Sequence, residues 1–421
     1  MSPYSRLLCV FFMMAAAAGF VLARRPYRGD PTPPGRWHPA RTPAGLEEPA
    51  EEQRARLEAL PYLAGTHPAP ARSGVTVHVP QLAWRGANLL VSGDAPGATL
   101  IDMEGNTLHR WALAPGALWP EYDTQPMKRR ARYWRRARLM DDGGVIALYE
   151  GAGLARLDAD SRPLWSRVGE FHHDFDVDGD GNLHALQRRE SPPTGAPGPG
   201  GPGRYPLLLD FIVTLDPAGH PIAEISIEEC FERSDYAGLI RPFAREGDIF
   251  HTNSVSWLDG RLAPRSTLFR KGNLLISQRN TGIVAIIDPA ARRVVWAGNS
   301  PWKRQHDPVL LDTGSILLFD NDGLAGRSRI LALDPLSGVV QTVYAGDEAH
   351  PFYSETCGTS QPLPNGNTLI TESDFGRAFE VTSSGAIVWE YLNPRRAGAR
   401  NDLVATLFEV TRIDSSRVPP S

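Results

Sequence analysis

Gly314-Ser315-Ile316-Leu317-Leu318-Phe319, followed by Ile330-Leu331-Ala332-Leu333-Asp334, is a phrase that this chain repeats as Gly366-Asn367-Thr368-Leu369-Ile370, followed by Ala378-Phe379-Glu380-Val381. Each copy is a glycine turn, an apolar strand, and a second strand running to another turn. A third strand closes each copy, over Val339 to Tyr344 and Ala386 to Tyr391. The Ile387-Val388-Trp389 ending returns at Leu108-His109-Arg110-Trp111, Pro163-Leu164-Trp165 and Val294-Val295-Trp296. Adding the strand ahead of the glycine, such as Val309-Leu310-Leu311, makes four short strands per unit.

Working outward, units begin near residues 86, 135, 172, 251, 305 and 354, with the Pro/Gly-rich stretch 192–206 as a loop insertion inside the third. Repetition at this spacing predicts an all-β, six-bladed β-propeller. A ring pairs the two edges that an open array of this size would expose, and Ala405 to Ile413 and Val75 to Val79 are expected to complete the joint. Composition agrees: the 421 residues include 40 glycines and 37 prolines, 22% are charged, and the net charge is −4. That balance suits a turn-rich β protein and carries no nucleic-acid footprint. The one basic run, Lys128 to Arg138, is broken by Tyr133 and Trp134 and reads as a solvated loop.

The N-terminus runs from Arg6 through an apolar stretch, Leu7 to Ala23, to Arg24-Arg25-Pro26. Residues 1–25 read as a signal-anchor or transmembrane segment, with Val21-Leu22-Ala23 as a competing cleavage site. Residues 26–65 read as a Pro-rich linker with a short helix over Glu47 to Leu60, and 66–421 as the propeller. The expected location is membrane-anchored, with the propeller in the periplasm or outside the cell. Cys9 lies inside the apolar run, and Cys230 and Cys357 are too far apart to signal a disulfide framework. No CxxC metal pattern occurs.

Aligned on the glycine that opens the second strand (Gly181, Gly314, Gly366), the units place His173, His306 and Gly358 eight residues earlier. Matching Val255-Ser256-Trp257-Leu258 to Val309-Leu310-Leu311 adds His251 at the equivalent position. The first strand of a propeller blade lines the central channel, so these histidines are expected to converge on the axis. Three imidazoles there are open to a metal site, a catalytic site or a polar plug. No carboxylate is matched at the same depth to complete a ligand set, so metal ranks second. Asp176-Val177-Asp178-Gly179-Asp180-Gly181-Asn182 resembles half of a calcium loop but has Gln187 where the distal glutamate belongs, and reads as a tight Asp/Gly turn.

Residues 66–413 resemble the bacterial, nucleotide-independent arylsulfate sulfotransferase family, in the ordered phrases His172-His173-Asp174-Phe175, His251-Thr252-Asn253-Ser254-Val255, Ser277-Gln278-Arg279-Asn280 and Gln305-His306-Asp307, with Phe319-Asp320-Asn321 downstream. The resemblance implies transfer of a sulfuryl group from an aryl sulfate to a phenol through a sulfated histidine, with no cofactor. By motif, His306 resembles the nucleophile and Arg279 the sulfate-binding arginine. His173 and His251 resemble the other two active-site histidines, and Asn253 is a substrate-contact candidate. Asn280 stands where family members commonly have a histidine. A nucleotide-dependent transferase is disfavoured, because the three lysines (Lys128, Lys271 and Lys303) lie in no Gly-rich phosphate loop. A serine hydrolase is disfavoured because no Gly-x-Ser-x-Gly elbow occurs. The rival reading from another class is a non-catalytic propeller that binds a partner or a sugar on its top face.

Overall fold

Strands with both faces covered can be apolar on both, and middle strands such as Val145–Tyr149 and Ile283–Asp288 are largely so because a neighbouring blade packs on each side. In Leu274–Gln278, Leu274 and Ile276 pack towards the preceding blade, while Leu275 packs towards the following one. In Ile283–Asp288, Ile283, Ala285 and Ile287 face one way, Val284 and Ile286 the other. Outermost strands have one neighbour fewer and leave apolar side chains such as Leu164, Val168 and Ile222 exposed.

The computed structural model describes residues 67–122, 133–191, 207–243, 247–324, 326–397 and 400–417. The expected anchor (1–25), the whole linker with its short helix (26–65) and the insertion 192–206 lie outside the described residues. The described residues all fall in one unit, Arg54–Ser421. Among them no helix is long and apolar enough to cross a membrane.

The unit is the expected all-β, six-bladed propeller, each blade an antiparallel sheet. From the axis outward, blade 1 is Leu407–Ile413, Ala87–Ser92, Gly97–Ile101 and Thr107–Ala112. Blade 2 is Trp134–Leu139, Val145–Tyr149, Gly153–Leu157 and Pro163–Val168. Blade 3 is Phe171–Val177, Leu183–Ser191, Leu207–Leu215 and Pro221–Ser226; blade 4 is Thr252–Trp257, Leu274–Gln278, Ile283–Asp288 and Arg293–Gly298. Blade 5 is His306–Leu310, Ile316–Leu324, Arg327–Leu333 and Val340–Ala345. Blade 6 is Thr359–Pro362, Thr368–Glu372, Arg377–Val381 and Ile387–Leu392, with Gly74–His78 added to its outer edge.

Both ends of the described chain therefore close the same seam. The C-terminal strand supplies the inner strand of blade 1, and Gly74–His78 supplies a fifth strand to blade 6. Arg412 locks the joint. Its Nη1 lies 2.9 Å from Glu380 Oε2 of blade 6, its Nε donates to Asn88 Oδ1 at 2.7 Å, and its guanidinium covers the Trp389 ring at 5.1 Å. The Asp/Gly reading of residues 176–182 holds: both Asp178 oxygens are taken by its own turn, from Asp180 N, Asn182 N and Asn182 Nδ2. Cys230 and Cys357 are both free thiols, and both are buried.

The basic run departs from expectation. Trp134–Leu139 is the inner strand of blade 2, not a solvated loop, and Arg135 and Arg136 are turned inward, while 123–132 lie outside the described residues. Arg136 reaches three carboxylates: Asp174 Oδ1 at 2.8 Å, Asp307 Oδ1 at 3.0 Å and Glu409 Oε1 at 2.6 Å. Asp174 Oδ2 accepts from Val255 N at 3.0 Å and Asp307 Oδ2 from Ser360 N at 2.9 Å. One guanidinium thus joins all six inner strands within two contacts, and pairing is what allows arginine on a buried strand.

Three carboxylates around one cation carry surplus negative charge. Burial, with repulsion from Asp307, lifts the Asp174 carboxyl from an ordinary 3.8 to about 7 against the pull of Arg136. Between those values the folded protein holds a proton that the unfolded chain has released. The contribution is therefore full below the unfolded value and is lost as pH rises towards about 7. Asp174→Asn, which keeps the neutral form at every pH, is expected to gain stability relative to the parent as pH rises from near 5 to near 8, read by urea unfolding. An offset that is the same at both pH values would contradict the assignment.

Candidate active site

The inner strands of blades 2 to 5 each carry a β-bulge at the same end. Two or more residues stand opposite fewer partners at Trp134–Arg136, Phe171–Phe175, Thr252–Ser254 and His306–Val309. A bulge breaks strict alternation and re-aims side chains. His173, His251 and Asp307 take left-handed backbone angles there (φ 57, 48 and 51), a cost of about 1–3 kcal/mol each that the surrounding packing must offset. In blade 5 the left-handed residue is Asp307, one position after the aligned histidine.

These bulges bring His173, His251 and His306 together with Arg279, as expected from sequence, and add Arg135. All five are buried, at 4–8% exposure. The His173 and His251 rings meet edge to face with centroids 4.7 Å apart. Arg279 follows the second strand of blade 4, its N–H donating to His251 O at 3.1 Å and its Nη1 to Asn280 Oδ1 at 3.1 Å. Arg135 lies 3.9 Å from Glu150 Oε2 and 4.9 Å over the Phe408 ring.

Hydrogen-bond partners fix the protons on two of the rings. Asn321 donates both amide hydrogens to backbone carbonyls, to Ser354 O at 2.8 Å and Cys357 O at 2.7 Å. Its Oδ1 therefore faces His306 Nδ1, at 2.8 Å, and must accept, which puts the hydrogen on Nδ1 and the lone pair on Nε2. Asp248 Oδ2 lies 2.6 Å from His251 Nδ1 and its Oδ1 takes the His251 N–H at 3.0 Å, so Nδ1 of this ring is also the donor. Burial works against the Asp248 charge, but Arg188, at 3.2 Å, and His251 outweigh it and hold the carboxyl well below its usual range.

Burial works against the charged form of all three imidazoles. It lowers His306 and His173 well below the ordinary histidine value, with Arg279, Arg135 and His251 adding to the effect on His306, and His251, His172, Arg135 and Arg188 to that on His173. His251 is also lowered by burial and Arg279, but Asp248 opposes the shift, so it is the ring best placed to carry a proton.

Asn253 donates Nδ2 to Gln305 O at 2.8 Å, tying blade 4 to the residue before His306; its Oδ1 is buried without a hydrogen-bond partner among the described residues. Among the described residues no group of three His, Cys, Asp or Glu side chains is arranged to hold a metal ion. Sequence reasoning missed Arg135, Glu150, Asp248 and Arg188, and quoted Asn321 in a family phrase without giving it a role. Asp248 had a local signal, since it stands three residues before His251, whereas the others meet the site only through the ring.

The profile of a family described as Arylsulfotransferase (ASST) matches residues 136–394, more than half of the 421 residues. No curated protein matches the chain. Among solved structures, a protein of unknown function from Bacteroides caccae is 14% identical, with 77% of this chain and 98% of that one covered and a TM-score of 0.49. Virginiamycin B lyase from Staphylococcus aureus is 12% identical, with 67% and 81% covered and a TM-score of 0.38.

If Arg279 faces the imidazoles as a charge, its removal relieves their suppression. Arg279→Met is expected to move the titrations of His306 and His251 to higher pH, followed by NMR of the ring carbon-bound protons. Unmoved titrations would place the guanidinium elsewhere.

Proposed function

The chain belongs to the arylsulfotransferase family, and on that premise we propose that it transfers a sulfuryl group from an aryl sulfate to a phenol through a sulfohistidine formed at His306. The observation that carries this reading is a buried imidazole, held towards its neutral form, whose Nδ1 is tied to Asn321, leaving the Nε2 lone pair free of that bond in a ring that feels the charges of Arg279 and Arg135. A neutral imidazole is a nucleophile near pH 7 without further activation.

In the first step Nε2 of His306 attacks sulfur and the aryl oxygen leaves with the bonding pair. Negative charge develops on the sulfonate oxygens, where Arg279 and Arg135 compensate it, and on the departing phenolate, which His251 can protonate from its cationic form, the form that Asp248 stabilises, regaining its proton from solvent. In the second step an acceptor phenol attacks the sulfohistidine, the N–S pair returns to Nε2, and His173 takes the phenol's proton. The buried, unpartnered Oδ1 of Asn253 supports the substrate-contact role given to that residue. Removing one charge-stabilising partner typically costs about 10²–10³ in rate.

The test is a mass measurement. Incubated with an aryl sulfate and no acceptor, the parent is expected to gain one sulfuryl group on the peptide containing His306, and His306→Ala none. A protein that releases no phenol from a panel of donors would favour the non-catalytic, ligand-binding propeller instead.

The export and tether expected from residues 1–25 belong to the same proposal. Cells making the full chain are expected to yield it in the membrane fraction, released by detergent and not by salt, with the propeller accessible from the periplasmic or outer side. Recovery from the cytoplasm would contradict this.

A further inference from the structure

His172 has no part in the steps above, yet it is 2% exposed in the middle of the machinery. Its Nδ1 lies 2.9 Å from Nδ1 of His173, and its Nε2 lies 3.4 Å from Asp210 Oδ1. Two ring nitrogens at hydrogen-bond distance share one hydrogen, and the carboxylates at either end decide which ring owns it. Asp210 can only accept while charged, and it is kept so: burial opposes its charge, but His172 and Arg188 overcome that and lower its carboxyl below the ordinary value. Its other oxygen already takes Thr252 N at 2.8 Å. The 3.4 Å contact is electrostatic and lies outside hydrogen-bond geometry, but an Nε2 lone pair turned to the charged Asp210 would be repelled, so Nε2 carries the hydrogen and Nδ1 of His172 is the acceptor. The shared hydrogen then belongs to Nδ1 of His173, where Glu150 Oε1, 3.6 Å away, favours the same choice.

We infer that His172 is a positioning residue: clamped between Asp210 and His173, it holds the hydrogen of His173 on Nδ1 and leaves the Nε2 lone pair for the acceptor's proton. The inference rests on the reading of His173 as base. When the phenol gives its proton to Nε2, the resulting imidazolium keeps both hydrogens, and its charge lies in line with His172 and the Asp210 carboxylate. Arg188 connects this line to the other one, with Nε 3.7 Å from Asp210 Oδ1 and Nη2 3.2 Å from Asp248 Oδ2. One arginine thus holds the carboxylates behind both proton-handling histidines, Asp248 directly and Asp210 through His172. The charged or titratable groups that face His173 are His172 and Arg188 of its own blade, Glu150 and Arg135 of blade 2, and His251 of blade 4.

The test compares two substitutions. Glutamine can reproduce the pattern of His172, its Oε1 accepting from His173 and its amide nitrogen donating to Asp210, whereas phenylalanine keeps the ring volume and neither function. With 4-nitrophenyl sulfate, whose phenolate leaves without a proton, His172→Phe is expected to form sulfohistidine within about threefold of the parent rate. Transfer from it to phenol is expected to slow about 10–100-fold, the usual cost of losing a partner that orients a histidine, and its pH profile to shift. His172→Gln is expected to restore most of that rate. Nitrogen-15 NMR of histidine-labelled protein reads the proton directly and needs no activity: His173 is expected as the Nδ1–H tautomer in the parent and in His172→Gln, and as a mixture in His172→Phe. An unchanged tautomer and phenol step in a folded His172→Phe protein, or a glutamine variant as impaired as the phenylalanine one, overturns the inference. Absence of sulfohistidine in the parent counts against the transferase reading instead, and the tautomer result still decides the role of His172.

Discussion

The buried cluster around Arg136 is the constraint on which this architecture rests. Four inner strands place charged groups at one level of the axis, Arg136 from blade 2, Asp174 from blade 3, Asp307 from blade 5 and Glu409 from blade 1, and backbone amides of blades 4 and 6 complete it. None of these groups would be tolerable alone at its buried position on the axis. Together they convert the cost of burial into a demand for one arrangement of the blades, because any blade out of register would leave a charge or an amide unpaired. Apolar packing between blades supplies the bulk of the driving force, but it is less particular about register than a guanidinium with three fixed partners.

The same cluster positions the chemistry. Arg135, His173 and His306 each immediately precede a member of it, so a residue fixed at the axis is covalently joined to a residue facing the site. Bulged, left-handed backbone at His173, His251 and Asp307 turns consecutive side chains towards different neighbours, one to the charge cluster and one to the imidazoles. Around the imidazoles a second set of contacts sets the protons: Asn321 behind His306, Asp248 behind His251, and His172 with Asp210 behind His173. A closed ring of strands can hold groups from four blades to about 0.5 Å, which a site built on loops alone would not achieve.

Much of the fold was legible because each blade repeats one turn. Gly181, Gly314 and Gly366 all have φ between 81 and 86, a backbone that selects glycine, so the residue recurs wherever the turn does. Counting back from those glycines reached His173 and His306. The count was one short of identifying the left-handed position in blade 5, because the bulge there adds its residue after His306. Arginines at 135 and 136 were misread since sequence hydropathy treats a charged run as solvated, and the partners that reverse this, Asp174, Asp307 and Glu409, lie up to 273 residues away. Arg188 was hidden for the same reason, and Asn321, though it stands in a quoted phrase, showed no role there: each acts through a neighbour supplied by another strand of the ring.

Transfer through His306 requires that the protein keep the sulfuryl group between substrates. The direct measurement is a rapid-mixing experiment with a chromogenic aryl sulfate and no acceptor. Phenolate is expected in a burst equal to one per active site, followed by near-silence until a phenol is added. Phenolate release that requires the phenol from the first turnover would mean direct transfer between two bound substrates, and would leave His306 as a ligand of the sulfonate and not its carrier.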